Sequence, residues 1–358
     1  MMPLDPTLEA ILDLARWAPS GDNTQPWRFE IAGQRHVVVH GFDTRQHCVY
    51  DLDGHPSQMS LGALLETMAI AASVQGLELR ASRRADQPDD HPILDVQFSA
   101  QQRAAPDPLA AVIRERSVQR RALRMRPLTA SEKSALTAGL PAGYRLRWLE
   151  GTGRRWAMAR LLFRNARLRL TMPEAHRVHR DVIEWNARFS DDRMPDQALG
   201  VDPLTAKLMR WVMQDWRRVE FFNTWLAGTV APRLQMDLLP GFACAAHVAL
   251  VAEHPPHGID DYIAAGRAMQ RLWLTATRLN LQLQPEMTPL IFSRYARERR
   301  VFTSVPGIPE AAAELAGQAE ALIGADVFIR TVFLARIGAG QAAQARSLRK
   351  PLSALLLP

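Results

Sequence analysis

Apolar positions recur along this chain with two periods, and most segments end on residues that cannot continue them. Leu8, Ile11, Leu12, Leu14 and Ala15 fall three and four apart, which predicts a helix over residues 7–17. Pro19 lacks an amide donor and Gly21 tolerates positive φ, so both are expected to end it. Residues 27–31 and 36–40 flank Ala32-Gly33-Gln34-Arg35 as a β-hairpin. His36 and His40 then share a face by alternation alone. A long helical run over 57–75 closes on Gly76, and residues 77–80 and 93–98 read as strands around the charged loop 83–91. The polar stretch 101–108, with two prolines, is the natural boundary.

Beyond it, residues 109–115 read as helix and run into Arg116-Ser117-Val118-Gln119-Arg120-Arg121. Thr129 and Glu132 make a capping box, and 144–149 alternates as a strand. Residues 154–225 are mainly helical, with breaks near Pro173, 190–195 and Pro203. Within them Leu208 to Trp216 sets Met and Trp at helical spacing, the pattern of a core stripe or of a lid over a flat ligand. A buried strand (245–253), a second long helix (259–279), a last strand (326–337) and the tail Arg346-Ser347-Leu348-Arg349-Lys350-Pro351-Leu352 follow.

The two long helices align at an offset of 204 residues: Gly62 falls on Gly266, Glu66 on Gln270, Ala72 on Ala276, Gly76 on Asn280 and Leu77 on Leu281. Gly and Asn are the residues best suited to a left-handed cap, so the exchange between copies is conservative. The expectation is an internal duplication, with a first lobe over 1–104 and a second over 105–358. The second would carry a helical insertion at about 150–240 and a C-terminal arm.

Composition narrows the classes. With 358 residues, 47% hydrophobic and 23% charged, the chain can bury a sizeable core. No run approaches the ~20 apolar residues of a membrane span, and the first residues lack the pattern of a signal peptide. Cys48 and Cys244 share no motif, so a reducing cytoplasm is expected. The net charge is +7, and only three of the 44 basic residues are lysine. The arginines are scattered among acids with no finger or helix-turn-helix spacing, so no nucleic-acid partner is expected. Asp51-Leu52-Asp53-Gly54 begins like a calcium loop but lacks its later ligands and reads as a turn. His176 and His179 read as a helix surface, and no metal site is expected.

The candidate chemistry gathers in Ala18-Pro19-Ser20-Gly21-Asp22-Asn23-Thr24-Gln25-Pro26-Trp27, a turn that sets Ser20, Asn23 and Gln25 at the start of a strand. Its wording resembles the APSxxNxQPWxF signature of the nitroreductase-like flavoproteins. The repeat helix also resembles that family's central helix, in the form G-x-x-x-[EQN]-x-x-x-[LI]-x-A-x-x-x-[GN]-L. The resemblance implies an α+β fold of two related lobes, each a mixed or antiparallel sheet flanked by helices. The chain would belong to the longer, internally duplicated branch and imitate the family's dimer as a monomer, or form a homodimer.

It also implies FMN as cofactor. Pro19, Ser20, Asn23 and Gln25 would lie at the flavin. Arg116, Ser117 and Arg120 resemble the family's Arg-Arg-Ser-x-Arg phosphate segment at a helix end, shifted by one residue. Arg346 and Arg349 resemble the C-terminal segment that closes over the same phosphate. A backbone amide near Gly241 would approach the flavin edge, and Gln284-Pro285 would line the pocket. In simple family members the arginine segment precedes the Asn-x-Gln-Pro-Trp turn, whereas here it follows. The implied activity is two-electron reduction of a small conjugated, quinone or nitro-type acceptor by NAD(P)H or another donor. The alternatives are flavin storage under a lid and a partner-dependent oxidase.

Overall fold

The computed structural model describes residues 5–100 and 105–358; the proposed boundary at 104 therefore falls partly outside the described residues. Helix α1 (Pro6–Ala15) starts where the Asp5 carboxylate accepts the amides of Thr7 and Leu8, with Pro6 at the first position. Strands β1 (Trp27–Gly33) and β2 (His36–Gly41) form the expected hairpin. Helix α2 (His55–Val74) leads to β3 (Leu77–Arg83) and β4 (Ile93–Ala100), giving an antiparallel sheet ordered β1-β2-β4-β3.

The second half begins with α3 (Ala130–Ala138), opened by the Thr129–Glu132 capping box, and β5 (Tyr144–Leu149). Four longer helices follow: α4 (Gly151–Leu170), α5 (Pro173–Val182), α6 (Pro203–Val212) and α7 (Trp216–Trp225). The chain returns as β6 (Ala246–Ala252), α8 (Ile259–Arg278) and β7 (Leu281–Pro285). Helices α9 (Thr288–Arg297) and α10 (Ile308–Ile323) precede β8 (Thr331–Ala339). This second antiparallel sheet is ordered β5-β6-β8-β7. The two sheets share one spatial order, each with a long helix between its second and third strands, while the second half adds helices between β5 and β6 and between β7 and β8, in an α+β architecture.

Burial distinguishes the two sheets. Val248 and Leu250 of β6 face one core cluster while Ala249 and Val251 face another, so its continuous apolar run is covered on both sides. The second cover comes from the α4, α9 and α10 side of the chain. In the first sheet β4 buries Leu94, Val96 and Phe98 on one face, and its alternating positions are partly or fully exposed.

Helices α2 and α8 cross at their glycines. A Cβ on Gly62 would lie 1.9 Å from the Ile263 carbonyl oxygen, and one on Gly266 would lie 2.0 Å from that of Met59. The four residues obey the same 204-residue offset. So do the ties beyond the crossing: Arg271 donates to Glu66 (2.8 Å), and Gln270 to Thr67 (2.9 Å). Backbone cannot yield as a side chain can, so Gly62→Ala is expected to cost about 3 kcal/mol, the upper end of overpacking penalties. Urea unfolding followed by circular dichroism checks this, and an unchanged midpoint would contradict the close crossing. The caps agree too, since Gly76 and Asn280 both hold positive φ (68° and 57°).

Several local expectations need correction. Residues 109–115 are not an α-helix, because Pro108–Val112 makes a single 3-10 turn capped by Asp107. The arginine segment starts at the end of this turn, where the Arg116 amide donates to the Val112 carbonyl (3.1 Å), and then leaves it, with Val118 bridging Leu283 in parallel. The expected strand 326–337 begins late: Ala325–Ile329 is a short helix, and the strand starts at Thr331. His176 is no surface residue but is buried and bonded to the Met213 carbonyl, while His179 bonds the Tyr50 hydroxyl. The C-terminal arm crosses to the other half. Leu357 donates to the Phe29 carbonyl (2.7 Å), and Leu355 is buried in the first core.

Candidate functional site

The Ser20–Trp27 turn is held in an unusual backbone. Asp22 (φ 50°), Asn23 (φ 63°) and Gln25 (φ 50°) all lie in the left-handed region, whereas Gly21, expected to supply positive φ, does not. Asp and Asn tolerate that region; Gln does so at a cost of about 1 kcal/mol or more, which surrounding bonds must offset. They do. The Gln25 amide donates to the Ser20 hydroxyl (2.9 Å). Its side chain donates to the Asp191 carbonyl (2.8 Å) and accepts from the Lys350 amide (2.9 Å). Asn23 donates to the Arg193 carbonyl (3.2 Å). One glutamine therefore ties the turn to the helical insertion and to the C-terminal arm.

These ties close a cavity of about 290 Å³ between the two halves. Pro19, Ser20 and Asn23 line one wall. Arg116, Ser117 and Arg120 line another, and the arm brings Arg346 and Arg349. Eight of the ten expected site residues meet here. The other two do not. Gln25 is wholly buried behind the wall with its side-chain groups engaged by backbone. Gly241 lies away from the cavity, packed on Ala159 of α4, and its carbonyl accepts from His247.

Asp22 also lines this cavity and faces Arg120, but three of the cavity's arginines have no carboxylate partner. Arg116 donates to the Trp17 carbonyl (3.1 Å) and stands 4.7 Å from the centre of the Trp273 ring. Arg349 donates to the Ala18 carbonyl (2.9 Å), and Arg346 to the Arg114 carbonyl (2.6 Å). None of the three forms an ion pair among the described residues. Burial, with Arg349 and Arg346 nearby, pulls the Arg116 pKa far down, and burial with Arg346 and Arg16 lowers Arg349 to about 9. A guanidinium keeps its proton in a protein, so the penalty persists as electrostatic stress that an anion would relieve.

Much of the remaining lining is apolar, with Met59 of α2, Met269 and Trp273 of α8, Met287 and Phe333. Gln284 and Pro285 also line the cavity, as the resemblance implied. Three buried polar atoms at the walls have no partner: Asn23 Oδ1, Arg116 Nε and Gln284 Oε1. A ligand with hydrogen-bonding edges would satisfy such groups. Sequence reasoning missed Met59, Ser60, Met269 and Trp273; the four-residue spacing of Met269 and Trp273 was the only available signal. From the insertion, Met194 and Ala198 reach the cavity, but the 208–225 stripe does not. That stripe lines a separate apolar chamber of about 210 Å³ instead, and Trp211 and Trp225 are exposed.

Beneath the cavity, Arg336 donates to the Arg120 carbonyl (2.7 Å) and to Glu286 (3.2 Å). Glu286 in turn meets His247 Nδ1 at 2.7 Å, while Nε2 meets the Gly241 carbonyl at 2.8 Å. Both ring nitrogens face acceptors, so His247 is an imidazolium. Burial pulls its pKa down, but the Glu286 carboxylate outweighs burial and holds it at about 10.

No family model and no curated protein matches the chain. Among solved structures it is similar to a nitroreductase-like family protein from Bacillus cereus, at 14% identity over 71% of this chain and 96% of that one, with a TM-score of 0.33. A nitroreductase with bound FMN from Bacteroides fragilis NCTC 9343 aligns at 9% identity over 66% and 89%, also with a TM-score of 0.33. The FMN-dependent nitroreductase NfnB from Mycobacterium smegmatis, in complex with NADPH, aligns at 18% over 69% and 96%, again at 0.33. Likenesses at this score leave the chemistry to be argued from the cavity itself. Among the described residues no helix is long and apolar enough to cross a membrane.

Proposed function

We propose that this chain is an FMN-dependent oxidoreductase of nitroreductase type, reducing a small conjugated, quinone or nitro-type acceptor with electrons from NAD(P)H or another donor. The observation that carries the reading is the trio Arg116, Arg346 and Arg349, the first and last of them buried and none in an ion pair among the described residues, in a cavity also lined by Met59, Met269, Trp273 and Phe333. The arginines suit a terminal phosphate, with the Ser117 hydroxyl as a further donor. The side-chain amides of Asn23 and Gln284 suit the polar edge of a flat heterocycle, and Met59, Met269 and Trp273 suit its faces. When bound, FMN supplies the two-electron chemistry; the chain's own residues grip, orient and exclude water.

On this reading the matching topologies of the two halves descend from an internal duplication, with the lobes meeting near residues 104 and 105. The chain then presents one asymmetric site, whose turn comes from the first lobe and whose phosphate grip comes from the second lobe and the arm. Storage under a Met/Trp lid is the weaker reading, since the 208–225 stripe lines a different chamber.

The purified protein, reconstituted with FMN, should show flavin absorbance that bleaches on NADPH addition without oxygen. Absence of flavin absorbance would refute the proposal. Flavin that binds yet stays oxidised with NADPH would leave binding intact and exclude nicotinamide as the donor.

A further inference from the structure

A second, larger concavity of about 880 Å³ opens beside the cavity, and the two share Val118 and Ala198 as a common wall. Its character is cationic. Arg121, Arg188, Lys207 and Arg210 line it, all exposed, and none forms an ion pair among the described residues. The acid in its lining, Asp196, is buried and already accepts the Ala187 amide (3.0 Å). Residues 341–345 form the facing wall. The Gln341 carbonyl accepts from Gln119 (2.8 Å), and the Gln344 carbonyl from Arg188 (3.0 Å). The amide N–H groups of 341–345 have no acceptor among the described residues. Carbonyls turned to side-chain donors, free amides and four unpaired cations in one concavity make an anion site.

We propose that this groove binds a small molecule bearing two or more clustered negative charges and seats it as the redox partner next to the flavin. Its identity as a redox partner rests on the flavin reading; its affinity for a polyanion does not. Arg116, Arg346 and Arg349 serve the inner phosphate, so the groove is a separate anion site with its own residues. A singly charged or neutral acceptor would leave Lys207 and Arg210 unused, and a diphosphate or polycarboxylate would engage them together. The affinity is expected to fall with salt, because these side chains are exposed.

Calorimetric titration of the FMN-loaded protein with inorganic pyrophosphate, citrate and orthophosphate tests this. Saturable binding is expected for pyrophosphate or citrate, with orthophosphate weaker, and the tighter of the two identifies a diphosphate or a polycarboxylate source. The double variant K207A/R210A should weaken that binding about tenfold while keeping its flavin absorbance. Arg349→Ala should leave it unchanged when titrated at saturating FMN. No saturable binding, binding indifferent to K207A/R210A, or binding lost with Arg349→Ala would each overturn the groove. Missing flavin absorbance would instead refute the flavin reading, and the same titration on the protein as purified still tests the groove.

Discussion

Arg349→Ala is expected to weaken FMN binding about a hundredfold, equivalent to about 3 kcal/mol for a buried charge-assisted contact to phosphate. Arg349 is buried at the cavity with Arg116 and Arg346 and has no carboxylate partner, so its favourable charge interaction must come from a ligand. Its bond to the Ala18 carbonyl contributes to the fold, but removing the cation also relieves repulsion of its neighbours. The FMN-free variant should therefore unfold near the wild-type midpoint, while the stabilisation produced by added FMN should shrink. Arg80→Ala is the control, because Arg80 is exposed on β3, away from the cavity. Fluorescence titration of FMN gives the affinities. Equal affinity of the Arg349→Ala and Arg80→Ala variants would take the arm out of the site.

Glu286→Ala is expected to destabilise the protein by about 3–5 kcal/mol, the cost of leaving buried cations without their counter-charge. Glu286 joins His247 to Arg336, and Arg336 holds the Arg120 carbonyl, so the loss should also loosen the segment carrying Arg120. The pH dependence has a definite sign. His247 has a folded pKa of about 10, above its ordinary 6.5. Its contribution is complete below about pH 6.5 and is lost as pH rises through 10. Wild-type stability should thus decline from neutral to alkaline pH, and Glu286→Gln should flatten that decline while keeping the shape of the side chain. Urea unfolding at pH 7, 8, 9 and 10 reads both effects. An identical alkaline slope in the Gln variant would mean that His247 is not charged through Glu286.

Much of the fold was legible because it rests on periodicity. The α1 stripe, the β1–β2 hairpin, α2 with its Gly76 cap, α8 and the Thr129–Glu132 box depend on neighbours within a turn or a strand, and each stands where expected to within a few residues. The misread segments depend on distant partners. Residues 116–121 carry no local reason to be extended; Val118 is held by Leu283, from the other end of the chain. Residues 325–329 are as apolar as the strand after them, and a strand pattern cannot be told from a short buried helix by hydrophobicity alone. The Met/Trp stripe is helical only to Val212 and again from Trp216, and spacing does not say which cavity a helix faces.

The candidate site divides along the same line. The sequence by itself determined which residue types could serve: an Asn- and Gln-bearing turn, two arginine clusters 230 residues apart, and two helices related by an offset of 204. These are matters of composition, local backbone preference and repetition, which one dimension records. Only the tertiary structure decided that the clusters converge on one cavity, that Gln25 staples its walls rather than lining them, and that Gly241 lies elsewhere. Those outcomes follow from the arm crossing to β1 and from two glycines letting α2 and α8 touch, and contacts between residues so far apart in the chain are set by packing of the whole molecule.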